Sequence, residues 1–218
     1  MKDNVSSDPI EISLIDSVLK ENLKDLVETA AEAGLDAVLE QDVLKQIPVF
    51  GILIKIASLG ATLRDRLFAR KLLRFLREIA DIPQDKRNEF AQKLDSKKEK
   101  RRAGESILLL LERLDDMKKP EIIGRIVRLA ILGEIDFDTS MKLSAMVDRS
   151  YISDLVLLPQ AERGKGIPDE AAEALATVGL LERRIDTDVL GLKGPCGANV
   201  IFYNLSCFGK SLVPILES

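Results

Sequence analysis

The side chains that most often carry enzyme chemistry are sparse in this chain of 218 residues. Histidine is absent, so the usual acid–base group at neutral pH is missing and no Ser–His or Cys–His nucleophile pair can form. Neither a GxxxxGKS/T phosphate loop nor a GxGxxG turn after a strand occurs. The sequence therefore predicts a protein that is not an enzyme, with no catalytic residues, no cofactor and no small-molecule substrate.

Acidic pairs and two cysteines are the remaining candidates for chemistry. The acidic pairs are Asp115/Asp116, Asp136/Asp138 and Asp186/Asp188. All three pairs fall at the predicted ends of elements or in a turn, where aspartate is favoured for capping. Cys196 and Cys207 cannot complete a tetrahedral zinc site without histidine, and we interpret them as reduced thiols of a cytosolic protein. No metal site is predicted.

Positive charge is concentrated in one segment of a chain whose net charge is −4. Residues 64–102 carry 14 basic and 7 acidic side chains, a net charge of +7. Six basic residues line the outer side of a predicted amphipathic helix and are the candidates for contact with an anionic partner: Arg64, Arg66, Arg70, Lys71, Arg74 and Arg77. Two interpretations remain open. Either the acidic N-terminal helices neutralise this segment, or it binds nucleic-acid phosphates or anionic lipid.

A second cluster of charge, SKKEKRR at residues 96–102, follows in the same segment. It is expected to be a solvated loop or the start of a helix. Nucleic-acid contact is the less favoured interpretation, because no aromatic residue lies nearby in the sequence to stack on a base.

An apolar run directly precedes the basic helix. Residues 47–63 contain Lys55 as their only charge, and as one helix they would span roughly 25 Å, short of the roughly 30 Å hydrocarbon core of a bilayer. Such a run is typical of a buried central helix, of a helix lying in a membrane interface, or of a subunit interface. Ile52, Ile56 and Leu59 are the candidates for an apolar face that contacts a membrane or a partner.

Composition and periodicity predict a mainly α fold. Tryptophan is absent and aromatic residues make up 4% of the chain, so the core must rest on aliphatic side chains. One helix is expected to start at Glu11 and continue to Gly34, and another to run from Thr139 to Leu158 behind Asp138 as its N-cap. The predicted divisions are a disordered tail at 1–9, an N-terminal helical bundle at 10–119 and a small winged-helix-like α+β unit at 120–218.

The C-terminal third has a different pattern. A helix is predicted from Pro168 to Arg184, followed by two β-prone runs at 184–192 and 198–206 that flank a KGPCG turn. This order of helix, hairpin and short final helix, with GLLERR and YNLSCFGKSL, resembles a winged helix. The front of the predicted helix and the wing are acidic, which disfavours DNA readout and favours a protein-binding module.

Longer stretches resemble uncharacterised bacterial proteins: LIDSVLKENLKDL, IPVFGILIKIASLGATLRDRLFARKLLRFL and GESILLLLERLDDMKKPEIIG. The tail, LATVGLLE followed by LSCFGKSL, is similar to that of bacterial abortive-infection proteins of the Abi-alpha type. The resemblance implies a phage-defence or mobile-element context. It assigns no mechanism and no functional residue.

The sequence thus predicts a bacterial interaction or effector protein that is cytoplasmic or peripheral to the inner membrane. In the favoured interpretation, the apolar helix at 47–63 is sequestered in the fold and the basic helix at 64–80 contacts an anionic partner or a membrane. The alternatives are a winged-helix regulator that binds nucleic acid and a homo-oligomeric assembly subunit. A protein partner or a second copy of the chain is the expected partner, with a membrane surface or nucleic acid next in order.

Overall fold

The chain folds into helices accompanied by one small β-sheet. The computed structural model describes residues 9–32, 43–57, 62–94, 96–186 and 200–217. Helices dominate these segments and a two-stranded sheet lies near the C-terminus, which confirms the prediction of a mainly α protein. Contacts group the chain into two compact units, Met1–Ser144 and Ala145–Ser218. The predicted disordered tail at 1–9 lies outside the described residues, apart from Pro9.

Helices make up the described part of the N-terminal unit. In chain order they are α1 (Ile10–Val18), α2 (Leu23–Glu32), α3 (Pro48–Ala57), α4 (Leu63–Ile79), α5 (Gln84–Lys93), α6 (Lys97–Arg113), α7 (Lys119–Leu132) and α8 (Phe137–Arg149), the last of which runs into the second unit. A 3₁₀ turn at Leu44–Gln46 precedes α3. Helix α1 packs against both α3 and α6, and α4 packs against α7. Helix α7, which the sequence analysis grouped with the C-terminal domain, therefore packs within the N-terminal unit.

Helix α1 ends earlier than its apolar periodicity predicts. The helix expected to continue from Glu11 is interrupted after Val18, and α2 forms a separate helix. A side chain from α5 accounts for the break. The almost fully buried guanidinium of Arg87 donates to the carbonyls of Val18 and Lys20, each at 2.9 Å. Carbonyls at a helix C-terminus lack amide partners, so a cation there is favourable.

The apolar run and the basic segment form two helices. Helix α3 is 10 residues long, or about 15 Å. Thr62, which precedes α4, has extended backbone angles of φ −84° and ψ 165°. The apolar helix predicted over 47–63 is described from Pro48 to Ala57, Leu63 belongs to α4, and residues 58–61 lie outside the described part of the chain. Among the described residues, every helix falls short of the length and apolar content that a membrane crossing requires.

One face of α4 forms the centre of the N-terminal core. Its buried residues are Ala69, Leu72, Leu73, Phe75, Leu76 and Ile79. Helix α7 approaches this face closely at Gly124, where an added Cβ would lie 2.9 Å from the carbonyl oxygen of Phe75. Direct packing of the two helix backbones therefore sets the orientation of the basic side chains on α4.

Helix α8 begins and ends differently from the prediction. Asp136, not Asp138, caps it, because the Asp136 carboxylate accepts hydrogen bonds from the amide and the hydroxyl of Thr139, each at 2.7 Å. These bonds lower the pKa of Asp136. The helix also stops well before Leu158, since Tyr151 adopts an extended backbone with φ −77° and ψ 143°.

The C-terminal unit combines short helices with a hairpin. Its elements are α9 (Ile152–Leu155), α10 (Leu158–Glu162), α11 (Asp169–Thr177), β1 (Leu181–Asp186), β2 (Val200–Leu205) and α12 (Cys207–Glu217). The strands are antiparallel, with Leu181 opposite Leu205 and Asp186 opposite Val200. Two strands in this region are as predicted, but β1 begins before residue 184, where the β-prone run was expected to start.

The helix before the hairpin is shorter than predicted. It was expected to extend from Pro168 to Arg184, yet Arg184 lies in β1. Gly179 ends the helix with a φ of +88°, a left-handed conformation that favours glycine. The amide of Leu180 then donates to the carbonyl of Leu175 at 2.9 Å, the longer bond of a Schellman turn.

Candidate interaction surface on helices α3 and α4

Helix α4 has a well-defined start. The Thr62 hydroxyl accepts a hydrogen bond from the Asp65 amide at 3.2 Å, and the Asp65 carboxylate accepts one from the Thr62 amide at 2.8 Å. This reciprocal pair is a capping box. Its hydrogen bonds lower the pKa of Asp65. The cap therefore holds the first turn of α4, which carries the first of the predicted basic residues, in a fixed direction.

Lys71 and Arg74, two of the six predicted basic residues, donate hydrogen bonds to α6, α7 and the segment that joins them. Lys71 Nζ donates to the carbonyls of Glu112 and Leu114 at 3.0 and 2.6 Å, and burial lowers its pKa. Arg74 Nη1 donates to Glu121 Oε1 at 2.6 Å and to a backbone carbonyl at 3.1 Å. Both side chains are half-buried. Their charge stabilises the connection between α6 and α7 against α4.

The other four predicted basic residues differ in exposure. Arg64 forms an ion pair with Glu112 but remains largely exposed. Arg66 and Arg77 are exposed, and Arg70 is half-buried. The outer side of α4 is thus split into a start that faces solvent, a middle that binds α6 and α7, and an exposed Arg77 near the end.

The predicted apolar residues on α3 also differ in burial. At the start of the helix, Val49 and Phe50 are completely buried. Ile52 is half-buried, and Ile56 near the end is 57% exposed. Leu59 lies outside the described residues. Helix α3 is therefore anchored at its start and exposes apolar surface toward its end.

Exposed apolar side chains continue at the start of α4. Leu63 is 74% exposed, and Leu67, one turn later, is also exposed. Arg64 and Arg66 lie between them in the sequence. We call this set, Ile56, Leu63, Leu67, Arg64 and Arg66, the α3–α4 edge. Exposed aliphatic side chains interleaved with arginines are typical of surfaces that contact a partner or a membrane.

A buried lysine lies at the start of α7, beside the α6–α7 connection to which Lys71 and Arg74 of α4 donate hydrogen bonds. Lys119 is 1% exposed, and its Nζ donates to Asp115 Oδ1 at 2.6 Å. This hydrogen bond lowers the pKa of Asp115. Asp115, which the sequence analysis assigned to capping or a turn, serves here as the carboxylate partner of a buried cation.

Replacing Asp115 with asparagine should destabilise the protein by about 1 kcal/mol at neutral pH, the value expected for a partly exposed charged hydrogen bond. Because the folded-state pKa of Asp115 is lowered, its contribution is complete above the unfolded-state pKa and is lost as pH falls through the folded-state value. The difference between variant and wild type should therefore close below about pH 4.

Urea denaturation at neutral and acidic pH measures this difference. Replacing the exposed Asp138 with asparagine is the control, and it should change stability little at either pH. A difference for the Asp115 variant that persisted undiminished in acid would contradict the assigned role.

The other candidates for chemistry are dispersed. Within the described residues, no group of three or more His, Cys, Asp or Glu side chains is arranged to hold a metal ion. Cys207 is exposed, whereas Cys196 and Asp188 lie outside the described part of the chain. The pair at 115/116 lies in the connection between α6 and α7, and the pair at 136/138 lies at the start of α8.

Basic residues of the hairpin lie close to carboxylates. Arg183 Nη1 lies 3.7 Å from Glu173 Oε1, and Arg184 Nη2 lies 3.9 Å from Glu182 Oε2. Tyr203 also donates a hydrogen bond to Glu173, which raises the pKa of the tyrosine. Both basic side chains in the described strands therefore lie close to a carboxylate.

No known family model matches the sequence, no curated protein resembles it significantly, and no solved structure matches the fold. Function must therefore be argued from the surfaces of the chain itself.

Sequence reasoning missed one feature of the basic segment. A cleft of about 510 Å³ in the N-terminal unit is lined by Lys93, Arg102 and Phe137, among others. Helix α8 contributes the aromatic ring, which lies more than thirty positions after the SKKEKRR cluster. Only the two basic residues could have been identified from local sequence, because their proximity to the ring depends on packing.

Proposed function

We propose that this is a non-enzymatic interaction protein that attaches to an anionic membrane surface through the α3–α4 edge. The supporting observation is the graded burial of α3, which runs from a completely buried Phe50 to an Ile56 that is 57% exposed. Leu63, the first residue of α4, is 74% exposed and is followed by Arg64. A partly inserted apolar strip flanked by arginines suits the boundary between lipid head groups and acyl chains.

Electrostatics favour an anionic surface as the partner. The edge carries two exposed arginines, Arg64 and Arg66. Each basic residue held near an anionic leaflet contributes about 1 kcal/mol to binding. The ion pair between Arg64 and Glu112 is largely exposed, so exchanging it for a lipid phosphate costs roughly 1 kcal/mol or less.

Co-sedimentation with vesicles tests this proposal. Full-length protein should pellet with phosphatidylglycerol-rich vesicles and much less with pure phosphatidylcholine. Replacing Ile56 and Leu63 with serine should weaken the binding about tenfold, since a fully inserted aliphatic side chain is worth about 1.5–3 kcal/mol and these insert partly. The matched control replaces Tyr151 and Val156, which are similarly exposed in the C-terminal unit, with serine.

Absence of binding even to highly anionic vesicles would refute the membrane proposal, as would an equal loss in the control variant. Size-exclusion chromatography identifies the main alternative. If the wild type is a dimer at micromolar concentration and the Ile56/Leu63 variant is a monomer, the edge is a homo-oligomer interface.

We further propose that the C-terminal unit is a winged-helix-like module that binds protein. The order of α11, β1, β2 and α12 supports this proposal, and the carboxylates near Arg183 and Arg184 argue against DNA readout. A role in phage defence, implied by the resemblance of the tail, remains a prediction.

A further inference from the structure

Several basic side chains without a partner among the described residues lie in the second cluster of charge, where α5 ends and α6 begins. Residues 93–102, which we call the α5–α6 corner, carry six basic and two acidic side chains, a net charge of +4. Lys93, Lys98, Lys100 and Arg102 make no side-chain hydrogen bond or ion pair with any residue that the structure describes. In contrast, the basic residues in the middle of α4 are bound to α6 and α7. The corner is therefore a stronger candidate for an anion-binding surface than the middle of α4.

The surface at this corner is concave. The cleft of about 510 Å³ is bounded by Lys93 at the end of α5, Arg102 on α6 and Phe137 on α8. Two neighbouring recesses share Leu94 with it, and Lys100 lines one of them. A chain of recesses with cations along the walls can accommodate an extended anionic polymer.

The cleft contains an aromatic ring that is held in place. The ring of Phe137 is half-exposed and packs against Phe90, with ring centroids 6.1 Å apart and planes inclined by 51°. It lines both the main cleft and a neighbouring recess. An aromatic ring fixed on one side and open to a recess on another is suited to stacking on a nucleobase.

Of the acidic residues that line the cleft, two cap helices and the third lies on a different helix from the cations. Glu99 accepts a hydrogen bond from the Ser96 amide at 3.2 Å, within the capping box of α6. The Asp136 carboxylate accepts two hydrogen bonds from Thr139. Asp138 is the third carboxylate, and it lies on α8 rather than on the helices that carry the cations. A phosphate would therefore bind on the α5 and α6 side.

We infer that the α5–α6 corner binds single-stranded nucleic acid, with phosphates at Lys93, Lys98, Lys100 and Arg102 and a base stacked on Phe137. Three of these cations, Lys93, Lys100 and Arg102, line the recesses, and Phe137 lines two of the recesses with Lys93; this combination supports a single strand as the partner. A single strand can turn an unstacked base into a recess, whereas the bases of a duplex are stacked and paired. This site is distinct from the α3–α4 edge, so it adds a second partner to the proposed function.

Fluorescence anisotropy with a labelled oligothymidylate of about 12 nucleotides tests this inference on the full-length protein. Binding should weaken as salt rises from roughly 50 to 200 mM. Replacing Lys93 and Arg102 with glutamine should reduce the slope of log K against log salt by about 1.4, since each phosphate contact on a single strand contributes about 0.7. Lys24 and Lys118, both exposed elsewhere in the N-terminal unit, are replaced with glutamine as the charge-matched control.

A Phe137→Leu variant separates stacking from charge, because leucine can still pack on Phe90. Its affinity for the oligonucleotide should fall roughly tenfold, with the salt slope unchanged. The inference is overturned if no salt-dependent binding occurs, if the control pair weakens binding as much as the Lys93/Arg102 pair, or if Phe137→Leu has no effect. Equal or tighter binding of duplex DNA would also overturn it. So would a Lys93/Arg102 variant that lost vesicle binding but still bound the oligonucleotide.

Discussion

Replacing Gly104 with alanine is expected to destabilise the protein by about 3 kcal/mol, near the upper end of the usual cost of overpacking. A Cβ at this position of α6 would lie 1.9 Å from the carbonyl oxygen of Glu11 and 3.1 Å from its Cα. The obstacle is helix backbone, so it cannot be relieved by a side-chain rotation. Alanine would itself favour a helix by about 1 kcal/mol, and the net loss therefore reports the forced separation of α1 from α6.

Chemical denaturation of the full-length protein measures this loss. The matched control is Gly51→Ala in α3, where the nearest atom to an added Cβ is the Lys45 carbonyl oxygen at 3.2 Å. A shift of a few tenths of an ångström accommodates that contact, and the gain in helix propensity offsets its cost. If the Gly104 and Gly51 variants were equally stable, the close approach of α1 and α6 would be contradicted.

Replacing Phe75 with alanine is expected to cost about 4 kcal/mol, because it leaves a large cavity in a close-packed core. The ring is completely buried, and the Phe75 backbone contacts α7 at Gly124. Loss of this packing should also loosen α4, whose Lys71 and Arg74 bind the α6–α7 connection. The hydrogen bonds of these two cations depend on the same close approach of the helices.

The measurement is again the free energy of unfolding, with amide hydrogen exchange as a local readout on α4. Leu63→Ala, on the same helix but 74% exposed, is the control and should change stability by less than about 0.5 kcal/mol. Similar losses from the two substitutions would show that α4 does not bury the face described for it.

The elements that could be predicted from the sequence were those with a repeating local pattern. Helical spacing identified α4, and β-prone runs around a Gly/Pro turn identified the hairpin. Helix ends were predicted less well where a distant residue determines them. The end of α1 depends on Arg87, which is nearly seventy positions away, so local periodicity continued past the true break.

For the two candidate surfaces, too, the sequence predicts the general character and the packing decides which side chains take part. The basic character of residues 64–102 and the apolar character of 47–63 follow directly from composition. The sequence does not show which basic side chains are left to bind a partner, because Lys71 and Arg74 donate hydrogen bonds to segments more than forty positions away. Conversely, the packing of α8 places Phe137 in one cleft with Lys93 and Arg102, although Phe137 lies more than thirty positions further along the chain.

The sequence by itself determined the mainly helical class, the position of the hairpin and the segregation of charge, because propensity, periodicity and net charge are properties of neighbouring residues. Only the tertiary structure decided where helices stop, which cations are neutralised and which apolar side chains stay exposed. Those outcomes depend on contacts between distant segments: a buried arginine that caps another helix, a glycine that admits a neighbouring backbone, and a carbonyl that accepts from a lysine.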